Sequence, residues 1–366
     1  MNILFLTAHP YLPQMYGGLQ TSVDQLCHSL IERGHKVSIL CALMGNGLTG
    51  FKCRVRMQIN KRLAGCKVSR DTAPGYPVWR TWYPWEAVQY VAAKQKPDLI
   101  VVLAVRPVRM ALAAKPTGIP VLMMLQDVEF SQHDGEFREL GKIPCIANSQ
   151  FTAGKYRAAY GVDSVVIYPY IVKNNYKTDT TRENVTFINP VAKKGLDLAL
   201  EIARRCPEIP FSFIESWPLS PEEQTFLAGK LSLLPNVTLL APQKNMKNVY
   251  KKCKILLAPS MWEEGYGMVI TEAQLSGIPA VASTRGGLPE AVGDGGVLLA
   301  TDASVDEWVE AIRKLWNNAQ YYSEKSSASL IHSHRPELDL IRQIDAYEKV
   351  FMTAATALKD VPAAGN

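Results

Sequence analysis

Short apolar runs alternate with helix-patterned segments twice along the chain, and this double alternation restricts the fold more than any other feature. In the first half NILFLTA precedes a helical stretch from Leu19 to Arg33, followed by KVSILCA, DLIVVLAV, PVLMMLQ and PCIANS, each with a helix or loop behind it. Strands separated by helices make right-handed crossovers, so a parallel sheet covered on both faces is expected. A polar, turn-rich stretch from Tyr168, YPYIVKNNYKTDTTREN, reads as a linker. The second series runs through VTFIN, FSFIE, VTLLA, ILLAPS, PAVAST and GVLLA. Its helices are expected at Gly195 to Arg205, Pro221 to Leu234, Asn245 to Lys252 and Gly267 to Ser276. At 366 residues the chain exceeds what one core ordinarily organises, which agrees with two α/β domains and a ligand cleft at their strand ends. A last amphipathic stripe, Leu340, Ile344, Tyr347 and Phe351, predicts a C-terminal helix, and only the terminal DVPAAGN reads as disordered.

Hydrophobic content of 47% and charged content of 20% are those of a soluble globular protein. No run approaches the roughly 18 apolar residues of a membrane span, and Met1 to Thr7 enters directly as a strand, so a cytoplasmic protein is expected. The seven cysteines are scattered without the close pairs of zinc or redox motifs and read as reduced, mostly buried thiols. His332 and His334 read as solvated surface on opposite sides of a helix. The net charge of +6 is concentrated between Phe51 and Arg70, where seven Lys and Arg stand without an acid. That stretch is either a solvated loop or a basic amphipathic helix, since Phe51, Val55, Ile59 and Leu63 recur every fourth residue. The helix would suit peripheral contact with an anionic membrane surface, or an acidic acceptor.

Two common cofactor patterns are absent. The first strand is followed by HPYLPQMYGGLQTS rather than G-x-G-x-x-G, and no G-x-x-x-x-G-K-[ST] occurs. Gly17 and Gly18 open a helix there, where a ligand's anionic group could meet backbone N–H groups, although a glycine pair in a loop is more often just a turn. In the second half EEGYGMVITEA places Glu264 and Glu272 on either side of a Gly-Tyr-Gly turn, with seven residues between them. Eight helical steps span roughly 12 Å. Carboxylates acting on one glycosidic bond stand roughly 5–9.5 Å apart, so two ends of an elongated ligand is the better reading.

With the E-x7-E of PSMWEEGYGMVITEAQLSGIPAVAS and the GGLPE that follows, the chain resembles retaining glycosyltransferases of the GT-B fold, family-4 type. Lys194-Gly195, Gly17-Gly18 and PCIANSQFTAGKYRAAYG support the resemblance, which extends over nearly the whole chain. It implies two doubly wound Rossmann-like domains facing across a cleft. Residues 1–170 would form the acceptor side, 171–335 the nucleotide-sugar side, and 336–366 a C-terminal helix able to return to the first domain.

The resemblance also implies roles. Glu272 would accept hydrogen bonds from ribose hydroxyls and Glu264 would contact the donor sugar, while Gly267 and the backbone N–H groups of Met268 and Val269 would meet the diphosphate. Lys194 would neutralise the leaving group. Gly17, Gly18, Gln126 and Asn189 complete the expected donor contacts, and Asp127 would orient the acceptor hydroxyl or stabilise charge on the sugar, unless it merely caps the next segment. Two positions depart from the family: Asn189 stands where an arginine is usual, leaving Lys193 or Arg285 to supply the charge, and Gln126 stands where a histidine is usual. No cofactor and no metal are implied, and no Asp-x-Asp pair is present to hold one.

The expected reaction is metal-independent, configuration-retaining transfer of a sugar from a nucleoside-diphosphate sugar to an acceptor hydroxyl. The acceptor would be a carbohydrate, a lipid-linked or a small molecule, bound near the basic stretch and the aromatic VWRTWYPW, and nucleic acid is not an expected partner. A nucleotide-sugar epimerase, or a binding protein with weakened catalysis on the same fold, stays open as an alternative.

Overall fold

The computed structural model describes residues 1–356 except 218, so the expected disorder of residues 360–366 lies outside the described residues. The chain divides into two compact units, Met1–Tyr170 joined by the segment from Leu340 onward, and Ile171–Asp339. No helix among the described residues is long and apolar enough to cross a membrane.

The first unit is built on eight strands: β1 (Asn2–Pro10), β2 (Lys36–Ala42), β3 (Ser69–Asp71), β4 (Val78–Thr81), β5 (Leu99–Val102), β6 (Val121–Leu125), β7 (Cys145–Ala147) and β8 (Val165–Val166). Their order is β3-β4-β2-β1-β5-β6-β7-β8, and every pairing is parallel except β3 with β4. Helices α1 (Gly18–Glu32), α2 (Gly47–Ala64), α3 (Pro84–Gln95), α4 (Pro107–Ala114) and α5 (Gln150–Tyr160) make the connections. Because both faces are covered, central strands such as Ile3–Leu6 and Leu99–Val102 are apolar throughout and fully buried. Ser149 starts α5 by accepting the N–H of Thr152 on its hydroxyl, and Gly65 ends α2 in the left-handed conformation, φ 69°.

Half of the VWRTWYPW segment is built into the sheet. Val78–Thr81 form a buried strand, and the fully buried Arg80 donates to Asp71 at 2.6 Å and to the carbonyls of Tyr11 and Leu12. This guanidinium satisfies backbone oxygens inside the unit, and only Trp82 and Tyr83 face solvent.

The second unit has β9 (Asn184–Ile188), β10 (Phe211–Ile214), β11 (Val237–Leu240), β12 (Cys253–Ala258), β13 (Ala280–Ser283) and β14 (Gly296–Leu299), all parallel, in the order β11-β10-β9-β12-β13-β14. The helices are α6 (Leu196–Arg205), α7 (Pro221–Leu231), α8 (Lys247–Tyr250), α9 (Met268–Gln274), α10 (Leu288–Val292), α11 (Val305–Asn317) and α12 (Ala319–Ser333). Phe187, Phe211, Phe213 and Trp308 centre its core. Along this sheet the strand order reverses between β9 and β12. At such a switch point the loops leaving the carboxyl ends part to opposite faces and open a crevice.

The final helix, α13 (Leu340–Thr356), belongs to the first unit. Phe351 packs edge-on against Phe5 at 6.3 Å, and Glu348 pairs with Arg33 and His35 of the α1 end. His332 differs from the expected solvated surface: it is half-buried, with Nε2 2.9 Å from the carbonyl of Glu290. The described cysteines are all free thiols, and only Cys66 is not buried.

Candidate functional site

Loops leaving β9, β12 and β13 converge at the switch point of the second unit. Gly195, just after β9, has φ 85°, and a Cβ built on it would stand 2.0 Å from the carbonyl oxygen of Pro259. Only glycine allows this approach. The same two loops are tied where Met261 N–H donates to the Lys193 carbonyl at 3.0 Å, and the end of β13 joins them where Ser283 Oγ donates to the Ser260 carbonyl at 2.8 Å.

This convergence brings Lys194 and Glu264, 70 residues apart in sequence, into contact. Lys194 Nζ lies 2.5 Å from Glu264 Oε1, which also accepts the Ser260 hydroxyl at 2.6 Å. Burial disfavours a charge on Glu264, but the Lys194 ammonium and these hydrogen bonds outweigh it and hold the carboxyl below its ordinary range. The indoles of Trp217 and Trp262 meet edge to face, with Lys194 Nζ 5.4 and 5.0 Å from their ring centroids. The result is a paired cation and anion walled by two aromatic rings.

Glu272 is not the solvated helix residue that its position in an amphipathic pattern would allow. It is 5% exposed, and its Oε2 accepts the phenol of Tyr250 at 2.7 Å. Burial raises its carboxyl from 4.5 to about 7, with the Tyr250 hydrogen bond opposing the shift. Gly267 precedes α9 with φ 103°, and the side chain of Leu288 occupies the place of its missing Cβ. Met268 and Val269 form the first turn of α9, which is seven residues long rather than the expected ten. A helix this short has little macrodipole, so charge at this end of the site has to come chiefly from side chains.

Asn189 has φ 66° and is buried, and its Oδ1 accepts the backbone N–H of Trp217 at 3.2 Å. Its Oδ1 thus helps to shape the turn. Arg285 has a buried Nε with no partner among the described residues, a donor group awaiting an acceptor. Lys193 Nζ lies over the Trp262 ring at 4.9 Å.

Expected residues of the first unit lie at the carboxyl ends of its strands. Gly17 precedes α1 in extended backbone, φ −169°, so glycine is not demanded there by conformation. Gln126, after β6, has a buried Oε1 without a partner among the described residues. Asp127 accepts the N–H of Glu129 at 3.2 Å, a local turn contact, and burial raises its carboxyl above the ordinary range.

Ser260, Trp217, Trp262 and Tyr250 join the site without having been expected. Trp217, Ser260 and Trp262 sit in strand-to-helix connections and Tyr250 ends α8, but an isolated Ser, Trp or Tyr there carries no spacing signal.

A family model described as Glycosyltransferase Family 4 matches residues 16–172, and one described as Glycosyl transferases group 1 matches residues 172–330. Each model covers less than half of the chain, the first matching the first unit and the second the second unit, and the two-domain fold is that of GT-B glycosyltransferase structures. Among solved structures, Anabaena HepE with UDP and glucose has a TM-score of 0.76 at 19% identity, covering 96% of this chain and 100% of that one. Sucrose-phosphate synthase from Thermosynechococcus elongatus has a TM-score of 0.73 at 13% identity, covering 97% of this chain and 99% of that one. The D-inositol 3-phosphate glycosyltransferase of Mycolicibacterium smegmatis is 28% identical over 176 residues, 46% of this chain and 39% of that protein. Its Mycobacterium leprae counterpart is 33% identical over 130 residues, 33% of this chain and 30% of that protein. The chain therefore matches well under half the length of these curated relatives.

Proposed function

We propose that the protein transfers a sugar from a nucleoside-diphosphate sugar to an acceptor hydroxyl with retention of configuration. The observation that carries this reading is the Lys194–Glu264 pair at the switch point, eight residues before the buried Glu272. A diphosphate entering beside Lys194 meets a positive charge, and the orphaned Nε of Arg285 is the group that replaces the arginine absent at Asn189. Backbone N–H groups after Gly267, at Met268 and Val269, take further phosphate oxygens. Glu272 takes the ribose hydroxyls and Glu264 the sugar, while Gly17, Gly18 and Gln126 of the first unit complete the donor contacts.

In the transfer, the bond from the anomeric carbon to the diphosphate oxygen breaks as the acceptor oxygen bonds to the same face of that carbon. The acceptor proton passes to the departing diphosphate oxygen, whose charge Lys194 stabilises. Asp127 orients the acceptor. The Lys194 ammonium does the work of a divalent ion, so EDTA is expected to leave turnover unchanged, and loss of activity that is restored by Mg²⁺ or Mn²⁺ would sink this part of the reading. We place the reaction in the cytoplasm, peripheral at the inner membrane face where the acceptor is lipid-linked.

Incubation with UDP-, GDP-, dTDP- and ADP-sugars, followed by thermal shift and product analysis, tests the whole. One donor class should stabilise strongly, because only a ligand of the native state raises the melting temperature. UDP-sugars head the series because HepE was solved with UDP, and inositol phosphates join the acceptor trials because of the mycobacterial relatives. No stabilisation by any donor, or conversion of the donor sugar without transfer, would contradict a transferase.

Glu272 adds a pH dependence. Its carboxyl titrates at about 7 in the folded protein against an ordinary 4.5, so it favours folding below 4.5 and that support is lost as pH rises through about 7. Ribose hydroxyls donate to the ionised form. Nucleoside diphosphate binding should therefore weaken about tenfold from about pH 8 to about pH 6 and release a proton below neutrality. Calorimetry in buffers of different ionisation enthalpy reads this directly. Glu272→Gln should bind weakly at both pH values, and a wild-type affinity independent of pH would exclude the assignment.

A further inference from the structure

We propose that the outward face of α2 docks the protein on an anionic lipid bilayer. The basic stretch is helical from Gly47 to Ala64, so the loop alternative does not apply. One face seats on the first unit: Cys53 and Met57 are buried with Leu43, and Gly50 lies directly on the carbonyls of Met44 and Gly45. The opposite face carries Leu48, Phe51, Val55 and Ile59, with Leu63 at its end, each between 47% and 81% exposed.

At 3.6 residues per turn the first four fall within about 80° of one another, roughly opposite Cys53 and Met57, in a stripe about 22 Å long to Leu63. The helix therefore has two apolar faces, and the protein covers one. Lys52 and Arg56 flank the open stripe on one side, with Arg54 and Lys61 on the other, and exposed Arg62 falls within its arc at the Leu63 end. No acidic residue occurs from Arg33 to Arg70, so none of these cations has an acid on its own helix. At the start of the helix, exposed Trp82 packs its ring against Gly45, with exposed Tyr83 next to it.

The charge decides the occupant. An apolar stripe bounded on both sides by long cationic chains matches a bilayer interface, where Leu and Phe enter the acyl boundary and Lys and Arg reach back to anionic headgroups. Trp and Tyr are the side chains that suit the same depth. The proposal rests on the peripheral location proposed above, assigns it to a surface of the first unit, and does not depend on the donor chemistry.

Sedimentation of the full chain with vesicles tests it. Binding to phosphatidylcholine vesicles containing about 30% phosphatidylglycerol should be at least tenfold tighter than to phosphatidylcholine alone, and should weaken with added salt. Phe51→Ser/Ile59→Ser should lose about tenfold or more of that binding with unchanged circular dichroism. Lys52→Gln/Arg54→Gln/Lys61→Gln should abolish the preference for phosphatidylglycerol. Wild-type protein that stays in the supernatant with anionic vesicles overturns the proposal, as does equal binding by the apolar variant. So does a lipid-free dimer that Phe51→Ser/Ile59→Ser converts to monomer, because the stripe would then be covered by a second copy.

Discussion

Lys194→Met is expected to cost about 3 kcal/mol of folding stability and to lower turnover by roughly a hundred- to a thousandfold. The two losses have different origins. The stability loss arises because Glu264 is 9% exposed and, once the ammonium is gone, keeps neutral partners such as the Ser260 hydroxyl but no opposite charge, leaving its own charge under-compensated. Neutralising that charge should undo the damage, so Lys194→Met/Glu264→Gln is expected to recover all but about 1 kcal/mol, with methionine packing between Trp217 and Trp262. The activity loss arises because the departing diphosphate needs the cation, and the double variant should remain as inactive as the single one. Urea unfolding and initial rates on all four proteins complete the cycle. A pH series sharpens it: with Lys194 gone, burial, the largest influence on the carboxyl, is expected to outweigh the remaining hydrogen bonds and raise it, so the single variant's deficit should be largest above neutrality and shrink as pH falls. If Lys194→Met unfolds like wild type, the pair contributes nothing to the fold. A double variant with restored turnover would remove Lys194 from the chemistry.

The strands and their order of appearance were legible because a parallel sheet buried on both faces demands continuous apolar runs such as Ile3–Leu6 and Ile255–Ala258. Val78–Thr81 were not, because this strand carries a buried arginine whose partners, Asp71 and the carbonyls of Tyr11 and Leu12, are distant in sequence or anonymous backbone. In the site, the positions of Glu264 and Glu272 could be read from one motif. Their states could not: the contact with Lys194 depends on the approach of two loops, and the carboxyl of Glu272 at about 7 depends on burial beside Tyr250. Asn189 shows the converse. A resemblance marked it as a missing charge, whereas its left-handed backbone, a conformation asparagine tolerates, makes it a turn residue.

Gly286→Ala should be as damaging as loss of the ion pair, although it removes no functional group. Gly286 has φ 65°, and a Cβ there would stand 2.2 Å from the carbonyl oxygen and 2.4 Å from the nitrogen of Glu264. Both are backbone atoms, so no side chain can turn aside, and the left-handed conformation adds its own cost for alanine. The next residue fixes the same loop, since Gly287 N–H donates to the Glu264 carbonyl at 2.8 Å. Relief of the clash must shift the backbone of the Gly286 turn or of the Glu264 loop, and either movement loosens the support of the Lys194–Glu264 contact. A shift of about 1 Å can cost a hundredfold in rate, and we expect at least that, together with roughly 3 kcal/mol or more of stability. Gly229→Ala is the control: it lies in α7 with nothing within 4 Å of the built Cβ, and should stabilise by about 0.5–1 kcal/mol with turnover unchanged. Thermal melts and donor turnover of the two variants read the contrast. A Gly286→Ala protein with wild-type stability and rate would mean that the GGLPE turn is not what holds Glu264 against its lysine.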